Sequence, residues 1–382
     1  MKGGSMMKQK MLIVASTRSH ILQFHLPYLR QLQEDGWIIH VACGGSSETI
    51  PYTDQVQALP FRKKMTSWTN FQAAGILRKQ IKKEQYAAVI THTALAAFFT
   101  RLSEFGLRNR PKILHMVHGY LFDDQTAPFR RWLLLTADRI TASVTDLLLT
   151  MNSYDYHIAK KYHLGKQIHK IPGVGVDFSQ LEQQAKRISP QELRHSLGIS
   201  SDACVLIYPA EFSVRKSQHV LLRAMTLLPK HVVLVLPGTG VCLKQCQRLT
   251  QKLGISHRVI FPGYVKDIGA WYAMADVAVA SSRSEGLPFS IIEAMHCGLP
   301  VVTSSVKGHI DLIQDQHNGL LYSYGDWAQC AHKIGQLINN PQQASTFAEN
   351  GRDSVRQYNL IHVQPIIMGL YRDTISIPSS QQ

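Results

Sequence analysis

Residues 282–302 read Ser282-Arg-Ser-Glu-Gly-Leu-Pro-Phe-Ser-Ile-Ile-Glu-Ala-Met-His-Cys-Gly-Leu-Pro-Val-Val302. Two glutamates, Glu285 and Glu293, stand in this stretch with a Gly-Leu-Pro turn and an apolar helical pattern between them. A second Gly-Leu-Pro turn leads into a strand-like Val-Val pair. This order of strands, loops and helices is typical of a parallel α/β sheet. The loop that opens such a helix binds anions and sugars in many α/β proteins, so the stretch predicts a ligand site.

The helix in this stretch is predicted to begin near Pro288, because proline suits a first helical turn. Glu285 then lies in the loop before the helix, and Glu293 lies about a turn and a half into it. Backbone amides at a helix start attract phosphate and hydroxyl oxygens. Carboxylates accept hydrogen bonds from the vicinal hydroxyls of ribose or a hexose. The pair therefore suits the binding of a sugar-containing ligand better than shared acid–base work.

The rest of the chain repeats the alternation of strands and helices. With 382 residues, of which 45% are hydrophobic, it has enough apolar material for two cores. Repeated strand–helix units predict parallel, doubly wound sheets in an α/β fold. The predicted elements include a helix over residues 22–35 and strands at 87–91, 113–117 and 139–142.

A segment rich in proline and glycine, Ile171-Pro-Gly-Val-Gly-Val-Asp177, interrupts this alternation. Proline and glycine break both helical and strand patterns, so we expect the chain to pass from one domain to the next here. The predicted domains are residues 1–172 and 173–360. Residues 361–382 are predicted to form a C-terminal helix that returns to the first domain, followed by a frayed Ser-Ser-Gln-Gln end.

The charge balance is strongly basic, with a formal net charge of +15. Such an excess indicates nucleic acid, anionic lipid or an anionic substrate as a partner. In the first domain the cations stand among apolar residues such as Phe61, Trp68 and Phe99, at Arg62, Lys63, Lys64, Arg78, Lys79, Lys82, Lys83, Arg101, Arg108, Arg110, Lys112, Arg130 and Arg131. They form either a solvated basic surface or a face that rests on anionic lipid. No nucleic-acid-binding module is recognisable, so nucleic acid is not expected as a partner.

The expected location is the cytoplasm, with attachment to the inner face of the cell membrane as a further option. The N-terminus is polar and shows no signal peptide. No apolar run approaches the ~18 residues that span a bilayer. The six cysteines are scattered without a disulfide or zinc spacing, which suits free thiols in a reducing compartment.

The pattern around Glu285 and Glu293 resembles the family 4 glycosyltransferases, and the resemblance covers nearly the whole chain. The other segments that carry it are Ser19-His-Ile-Leu-Gln-Phe-His-Leu-Pro-Tyr-Leu-Arg30, Thr91-His-Thr93, Val117-His-Gly119, Ile171-Pro-Gly-Val-Gly-Val-Asp177 and Phe261-Pro-Gly-Tyr-Val-Lys-Asp-Ile268. The first and third are most similar to bacterial exopolysaccharide and capsule branches of the family. The resemblance implies the GT-B fold, with two Rossmann-like domains facing across a cleft and C-terminal helices folding back on the first.

The resemblance also implies a nucleotide-sugar site in the second domain. Glu293 would hold the ribose hydroxyls, and Glu285 a hydroxyl of the donor hexose. Lys216 matches the diphosphate-binding lysine of the family, whose ammonium offsets the charge on the departing nucleoside diphosphate. The implied donor-binding residues are Arg215, Lys216, Tyr264, Val265, Glu285, Gly286, Leu287, Pro288, Phe289 and Glu293.

One position departs from the family pattern. Many members carry an arginine five places before the diphosphate-binding lysine, but this chain has Glu211 there. Arg215 stands directly before Lys216 instead. Whether Arg215 supplies the missing charge is left open by the sequence.

The first domain supplies the remaining candidates. His118 follows a predicted strand and precedes Gly119, and in the family the matching histidine lines the pocket for the donor sugar and the acceptor. The implied catalytic residues are therefore His118, Lys216 and Glu285. Ser19, His20 and His92 lie at comparable strand ends and are assigned to an acceptor or diphosphate loop.

No cofactor or metal is expected. Gly238-Thr-Gly240 and Gly173-Val-Gly175 lack the third glycine of a dinucleotide fingerprint, and no phosphate-binding Walker loop is present. No Asp-x-Asp motif stands in a suitable loop, so cationic side chains and helix amides are expected to bind the diphosphate. The nucleotide-sugar would be a co-substrate.

The predicted function is that of a retaining, metal-independent hexosyltransferase in cell-surface polysaccharide synthesis. It would move a hexosyl unit from a nucleotide-sugar, with UDP as the favoured nucleotide, to a lipid-linked or growing glycan acceptor. A glycosidase is disfavoured, because the two carboxyl groups of a glycosidase flank a single bond. Glu285 in a loop and Glu293 in a helix are expected to contact different parts of a ligand. A sugar-nucleotide epimerase on the same fold and a non-catalytic nucleotide-sugar-binding partner of a synthesis complex remain as alternatives.

Overall fold

The computed structural model describes residues 9–376, so the polar start and the predicted frayed end of the chain lie outside the described residues. Within that range the chain forms two compact units. Unit 1 consists of residues 9–174 and 363–376, and unit 2 of residues 175–362.

Unit 1 is built on a seven-stranded parallel sheet with the order β3-β2-β1-β4-β5-β6-β7. Its strands are β1 (Lys10–Ala15), β2 (Ile38–Gly44), β3 (Gln55–Leu59), β4 (Ala88–His92), β5 (Lys112–Val117), β6 (Leu147–Thr150) and β7 (Gln167–Lys170). The helices between them are α1 (Arg18–Phe24), α2 (Leu26–Glu34), α3 (Trp68–Glu84), α4 (Ala94–Ser103), α5 (Pro128–Thr141) and α6 (Ser153–Lys161). The central strands are buried over almost their whole length, as expected of a parallel sheet covered by helices.

Unit 2 is built on a six-stranded parallel sheet with the order β10-β9-β8-β11-β12-β13. Its strands are β8 (Cys204–Ile207), β9 (Val232–Val235), β10 (Val259–Ile260), β11 (Val277–Ala280), β12 (Val301–Ser304) and β13 (Leu320–Tyr322). The helices are α7 (Phe178–Ala185), α8 (Pro190–Ser196), α9 (Gln218–Ala224), α10 (Leu243–Lys252), α11 (Ile268–Ala273), α12 (Phe289–His296), α13 (Trp327–Asn339) and α14 (Pro341–Val355). The last helix, α15 (Leu360–Ser376), begins in unit 2 and continues as part of unit 1.

The helix predicted over residues 22–35 is two helices in the structure. Pro27 has no N–H and its ring disfavours a continuous helix, so α1 ends at Phe24 and α2 begins at Leu26. Pro27 lies in the first turn of α2, where a missing N–H is tolerated. His25 occupies the break with non-helical backbone angles.

The strand predicted at residues 139–142 is wrong. These residues lie at the end of α5 and in the short 3₁₀ turn that follows it. The alternation of charged and apolar residues there resembles a strand, but Pro128 begins a helix that continues to Thr141. The short edge strands β3, β7 and β13 were not predicted. Strand β7 holds a single apolar residue, Ile168, and β13 spans only three residues.

Two of the cations assigned to a basic surface are buried. The Arg101 side chain is inside unit 1, where its Nη2 donates to Asp138 Oδ1 at 2.7 Å. Lys112 is also buried, at the start of β5. These two residues therefore support the fold rather than a surface. Between residues 9 and 376 no helix combines the length and the apolar character that crossing a bilayer requires.

Candidate active site

Two loops meet at the carboxyl edge of the unit 2 sheet. One follows β8 and carries Arg215 and Lys216, and the other follows β11 and carries Glu285. The loops are adjacent because β8 and β11 are neighbouring parallel strands. The Arg283 amide donates to the Arg215 carbonyl at 2.8 Å, and the Ser281 hydroxyl lies 3.0 Å from the Lys216 carbonyl. These bonds fix the backbone beneath the charged side chains.

Glu285 is the centre of the site. Its carboxylate is buried, with a side-chain exposure of only 6%. Lys216 Nζ donates to Oε1 at 2.6 Å, and Arg215 Nη1 donates to Oε2 at 2.5 Å. Burial opposes ionisation, but the two cations outweigh it and hold the pKa of Glu285 at about 2. The carboxylate is therefore charged at neutral pH and cannot act as a proton donor there.

Neutral hydroxyl groups support the same carboxylate. The Ser282 hydroxyl donates to Glu285 Oε1, and the Tyr208 hydroxyl lies 2.7 Å from the Ser282 oxygen. Because the proton of Ser282 is used on the carboxylate, Tyr208 donates to Ser282. Each oxygen of Glu285 thus has a donor already in place, and a ligand binding here must share or displace one of them.

A third loop, after β12, packs against the back of Glu285. The Glu285 amide donates to the Lys307 carbonyl at 3.1 Å. Gly308 has a φ of +85°, and a Cβ added to it would lie 2.8 Å from the Glu285 Cβ. Only glycine satisfies both the backbone angle and the close approach, so Gly308 holds the loop and the glutamate in fixed contact.

His309, in the same loop, offers a free acceptor. Its Nδ1 lies 2.8 Å from the Ser304 carbonyl, which can only accept, so Nδ1 carries the proton. Nε2 then bears a lone pair, and it is buried without a hydrogen-bond partner among residues 9–376. Burial lowers the pKa of His309 to about 4 despite the nearby Glu285 carboxylate, so the ring is neutral. A buried unpaired nitrogen of this kind suits a hydroxyl group from a ligand.

Glu293 lies in the second turn of α12 and has a different environment. Its Oε2 is 2.9 Å from the Tyr272 hydroxyl, which is also 3.0 Å from the Ser290 carbonyl. Burial raises the pKa of Glu293 to about 7, against the opposing effect of the Tyr272 hydrogen bond. No cation forms an ion pair with Glu293 within residues 9–376, so the carboxylate is poised between its neutral and charged forms at neutral pH.

The other predicted donor-binding residues differ in their exposure. Pro288 caps α12 and Phe289 is its first residue, so the helix begins where the sequence indicates. Leu287 and Pro288 are buried, and Gly286 is partly exposed. Tyr264, with 76% of its surface exposed, and half-buried Val265 lie in the loop that follows β10.

In unit 1 the structure brings three predicted residues together and leaves one apart. His20, His92 and His118 converge at the carboxyl edge of the sheet, where His25 joins them. Ser19 is exposed, and its hydroxyl donates to Thr17 Oγ1 at 3.2 Å. The histidines form one cluster although they come from separate segments of the chain.

Several site residues were missed by the sequence analysis. His309 and Gly308 stand in Ser305-Val-Lys-Gly-His309, directly after a predicted strand, and this position at a strand end was the available signal. Tyr272 and His25 lie in ordinary helical patterns that give no such signal. The sequence left open whether Arg215 replaces the arginine that many family members have at the position of Glu211. In the structure Arg215 and Lys216 both donate to the Glu285 carboxylate, so the two cations lie at the same place in the site.

Comparison with known proteins identifies the family. The model for glycosyl transferases group 1 matches residues 189–354, and the model for glycosyltransferase family 4 matches residues 28–172. EpsD of Bacillus subtilis (strain 168), provisionally described as a glycosyltransferase, is 33% identical over 92% of this chain and 93% of its own length. The chain belongs to glycosyltransferase family 4.

Other relatives of this glycosyltransferase include enzymes of lipid-linked glycan synthesis. The UDP-Gal:alpha-D-GlcNAc-diphosphoundecaprenol alpha-1,3-galactosyltransferase of Escherichia coli is 25% identical over 78% of both chains. Among solved structures, Anabaena Alr3699/HepE in complex with UDP and glucose has a TM-score of 0.77 with 19% identity, over 95% of this chain and 99% of its own. WaaG, a glycosyltransferase involved in lipopolysaccharide biosynthesis, has a TM-score of 0.77 with 15% identity, over 94% and 99%. These likenesses confirm the GT-B fold that the sequence predicts.

The contact between Gly308 and Glu285 gives a first prediction. Gly308→Ala is expected to lower the free energy of unfolding of the glycosyltransferase, because the new methyl group meets Glu285 in addition to the strain of a positive φ, itself about 1–3 kcal/mol. The matched control is Gly325→Ala, since Gly325 has the same φ of +85° but nothing within 4 Å of an added Cβ. Urea unfolding of both variants checks this, and equal losses would contradict a packing role for Gly308.

Proposed function

We propose that this glycosyltransferase moves a hexosyl unit from a UDP-linked sugar to a hydroxyl of a lipid-diphosphate-linked or growing glycan, with retained anomeric configuration. The observation that carries the proposal is the pair of glutamates at the start of α12, one ionised and bound by two cations, the other near its midpoint of ionisation. The two environments suit two different ligand groups.

Lys216 and Arg215 are the proposed partners of the donor diphosphate. In the free protein both side chains bind Glu285, and Arg215 is half-exposed while Lys216 is mostly covered. A diphosphate entering beside them would share these cations with the carboxylate. The positive charges would then stabilise the leaving nucleoside diphosphate as the glycosidic bond breaks. In this assignment Arg215 supplies the positive charge that many family members carry five places before the lysine, where this chain has Glu211.

Glu285 and His309 are the proposed contacts of the transferred sugar. The ionised carboxylate of Glu285 accepts hydrogen bonds from sugar hydroxyls, and the neutral Nε2 of His309 accepts one more. Gly286, Leu287, Pro288 and Phe289 line the helix start beside them. At neutral pH Glu285 is ionised and the His309 ring is neutral, so neither is an acid there, and we assign both to hydrogen bonds with the sugar.

Glu293 is the proposed partner of the ribose hydroxyls. Tyr264 and Val265 stay the predicted contacts of the nucleotide base. With retention, the acceptor proton would pass to the leaving phosphate, because the carboxylate nearest the cations is already committed to hydrogen bonds. We keep His118 as a predicted contact of the transferred sugar, and Ser19, His20 and His92 as the predicted acceptor or diphosphate loop.

The acceptor is proposed to be presented at a membrane surface. Helix α5 exposes Phe129, Trp132 and Leu133 to 74%, 61% and 50%, at the i, i+3, i+4 spacing of one helix face. Arg130 and Arg131 stand between Phe129 and Trp132 in the sequence. Exposed aromatic residues beside arginines suit the interface of an anionic bilayer. A lipid-linked acceptor, such as the one named for the Escherichia coli relative, would be available there.

The main test is product analysis with UDP-hexoses and lipid-diphosphate-linked sugars. A lengthened glycan with an α-linked hexose is expected from α-linked donors. Lys216→Ala should reduce turnover by about 100-fold or more, as expected when one charge-stabilising donor is removed. Lys230→Ala, at an exposed lysine of unit 2, is the control and should keep wild-type turnover.

Three outcomes would overturn parts of this proposal. An epimerised nucleotide-sugar would favour the epimerase alternative, and free hexose alone would favour a hydrolase. Binding of UDP-hexose without any turnover over a full panel of acceptors would favour the non-catalytic partner.

Glu293 gives a prediction about pH. Ribose hydroxyls donate to the ionised carboxylate, so donor binding requires the charged form of a group whose pKa is about 7 in the free protein. Affinity for a UDP-hexose should therefore be constant above about pH 8 and fall by up to tenfold per pH unit below pH 7. Calorimetric titration with an intact UDP-hexose measures this, because its diphosphate does not titrate near neutral pH. Glu293→Gln should bind weakly with no such slope, and an unchanged slope would refute the ribose assignment.

The membrane face gives a prediction about binding to vesicles. At low salt the protein should co-sediment with anionic liposomes and much less with neutral ones. Phe129→Ser with Trp132→Ser should abolish most of this binding, because both side chains leave the interface. Val241→Ser, at an exposed apolar residue of unit 2, is the matched control. Equal recovery with neutral and anionic vesicles would rule out the proposed surface.

A further inference from the structure

A cavity of about 770 Å³ lies at the amino edge of the unit 1 sheet, and its volume is typical of small-molecule sites. Lys112 is the first residue of β5, and Asp146 and Lys166 directly precede β6 and β7. All three residues line the cavity. His118 follows the other end of β5, at the carboxyl edge of the sheet. The cavity is therefore distinct from the sites already described.

The lining of this cavity is strongly basic. Asp146 is the one carboxylate that lines it within residues 9–376, and five cations surround that residue. The lining therefore carries an excess of four positive charges. The cations are Lys82, Arg108, Arg110, Lys112 and Lys166.

Asp146 already has a full set of donors. Arg110 donates to both of its carboxylate oxygens, at 2.6 and 2.8 Å, and Lys166 Nζ lies 3.1 Å from Oδ1. The Ile113 amide donates to Oδ2 at 2.9 Å. Burial opposes ionisation of this carboxyl group, but the donors outweigh it and hold the pKa of Asp146 below its usual range. Asp146 therefore neutralises Arg110 and Lys166 only in part and has no oxygen left for another cation.

Lys112 is the cation without a partner. It is only 8% exposed, but its ammonium makes no hydrogen bond or ion pair with any residue from 9 to 376. Burial lowers the pKa of Lys112, and repulsion from Lys166 and Arg110 adds to this effect while Asp146 opposes it. A buried ammonium without an acceptor is costly, and an anion in the cavity would supply the acceptor.

Two neighbouring acids do not supply that negative charge. Glu84, the last residue of α3, accepts a hydrogen bond from Lys10 Nζ at 2.7 Å. Glu104 directly follows α4, and burial raises its pKa to about 7 although Arg110 and Arg78 oppose this. Neither residue is part of the cavity lining. The positive charge of the lining is therefore left for a ligand to match.

We propose that this cavity binds a small soluble anion that carries phosphoryl groups, seated against Lys112 and Lys166. A phosphoryl group concentrates a charge of about −1.5 to −2 in one compact set of acceptor oxygens. Lysine ammonium groups bind such oxygens as point charges, without the fixed geometry that arginine requires. A group with a single charge would leave most of the excess unmatched.

The rim of the cavity favours a soluble anion over a lipid headgroup. The exposed lining residues are polar or charged, and the apolar ones, Ile81, Tyr86 and Leu107, are buried or half-buried. A surface that rests on a bilayer exposes aromatic or aliphatic side chains beside its cations, as α5 does. The exposed residues at this rim are Lys82, Gln85, Arg108, Asn109 and Lys166.

Calorimetric titration of the full chain with inorganic pyrophosphate tests the proposal. The titration is made in about 0.15 M NaCl, which screens exposed charges more than buried ones. Lys112→Met should weaken one binding event by about 10- to 100-fold, the loss expected when a charged donor is removed. Lys63→Met, which removes the same charge from the exposed loop after β3, is the matched control and should bind like the wild type.

A further variant separates this site from the donor site, because pyrophosphate is also expected to bind the cations proposed there. Lys216→Ala should keep the binding event that Lys112→Met weakens, whether or not the proposed transferase reaction is correct. Loss of that event in Lys216→Ala would place the pyrophosphate in the donor site and overturn the proposal.

Thermal unfolding without pyrophosphate shows whether each variant folds. If Lys112→Met does not fold, Lys166→Met, at an exposed lysine of the same lining, takes its place and should also weaken binding. Wild-type affinity in the folded variant, or an equal loss in Lys63→Met, would contradict the proposal. Binding to phosphatidylglycerol vesicles that depends on Lys112, without any binding of pyrophosphate, would show that the cavity takes a lipid headgroup instead.

Discussion

Parallel strand pairing is the constraint on which both sites depend. In a parallel sheet the carboxyl ends of neighbouring strands lie at one edge, so loops distant in sequence become neighbours in space. In unit 2 this edge joins the loops after β8, β11 and β12, which bring Lys216, Glu285 and His309 together. In unit 1 the same rule joins the ends of β1, β4 and β5 and gathers the histidines. The chemistry of each edge then depends on which side chains follow the strands.

Burial has opposite effects on the ionisable side chains at the two sheet edges. At Glu285 the cost of removing a charge from water is offset by two cations and a hydroxyl, so the charge persists. In the histidine cluster burial instead lowers the pKa of the rings and favours their neutral form. Glu293 is intermediate, since a single tyrosine hydroxyl supports it. Such differences in partner number explain why chemically similar groups differ so widely in pKa.

Much of this could be predicted from the sequence. The alternation of buried strands with helices indicates the fold, and the turn before Pro288 places Glu285 outside the helix and Glu293 within it, as the structure shows. Contacts between distant segments could not be predicted. The bond from Arg215 to Glu285 joins residues 70 positions apart, and His25 enters its cluster only because Pro27 divides a predicted helix. Helix α5 was not predicted from the sequence. Its apolar face is exposed, so its residues do not follow the pattern of a helix that packs against a core.

The path of α15 has a consequence for synthesis of the chain. The helix starts in unit 2, but Val363, Ile367, Met368 and Tyr371 are buried as part of unit 1. Domains commonly fold in order as they leave the ribosome. Here unit 2 has all its residues before unit 1 does, because unit 1 lacks this helix until residues 363–376 have emerged. Unit 1 is therefore translated first but completed second. The apolar surface of unit 1 that α15 covers stays exposed while unit 2 is synthesised.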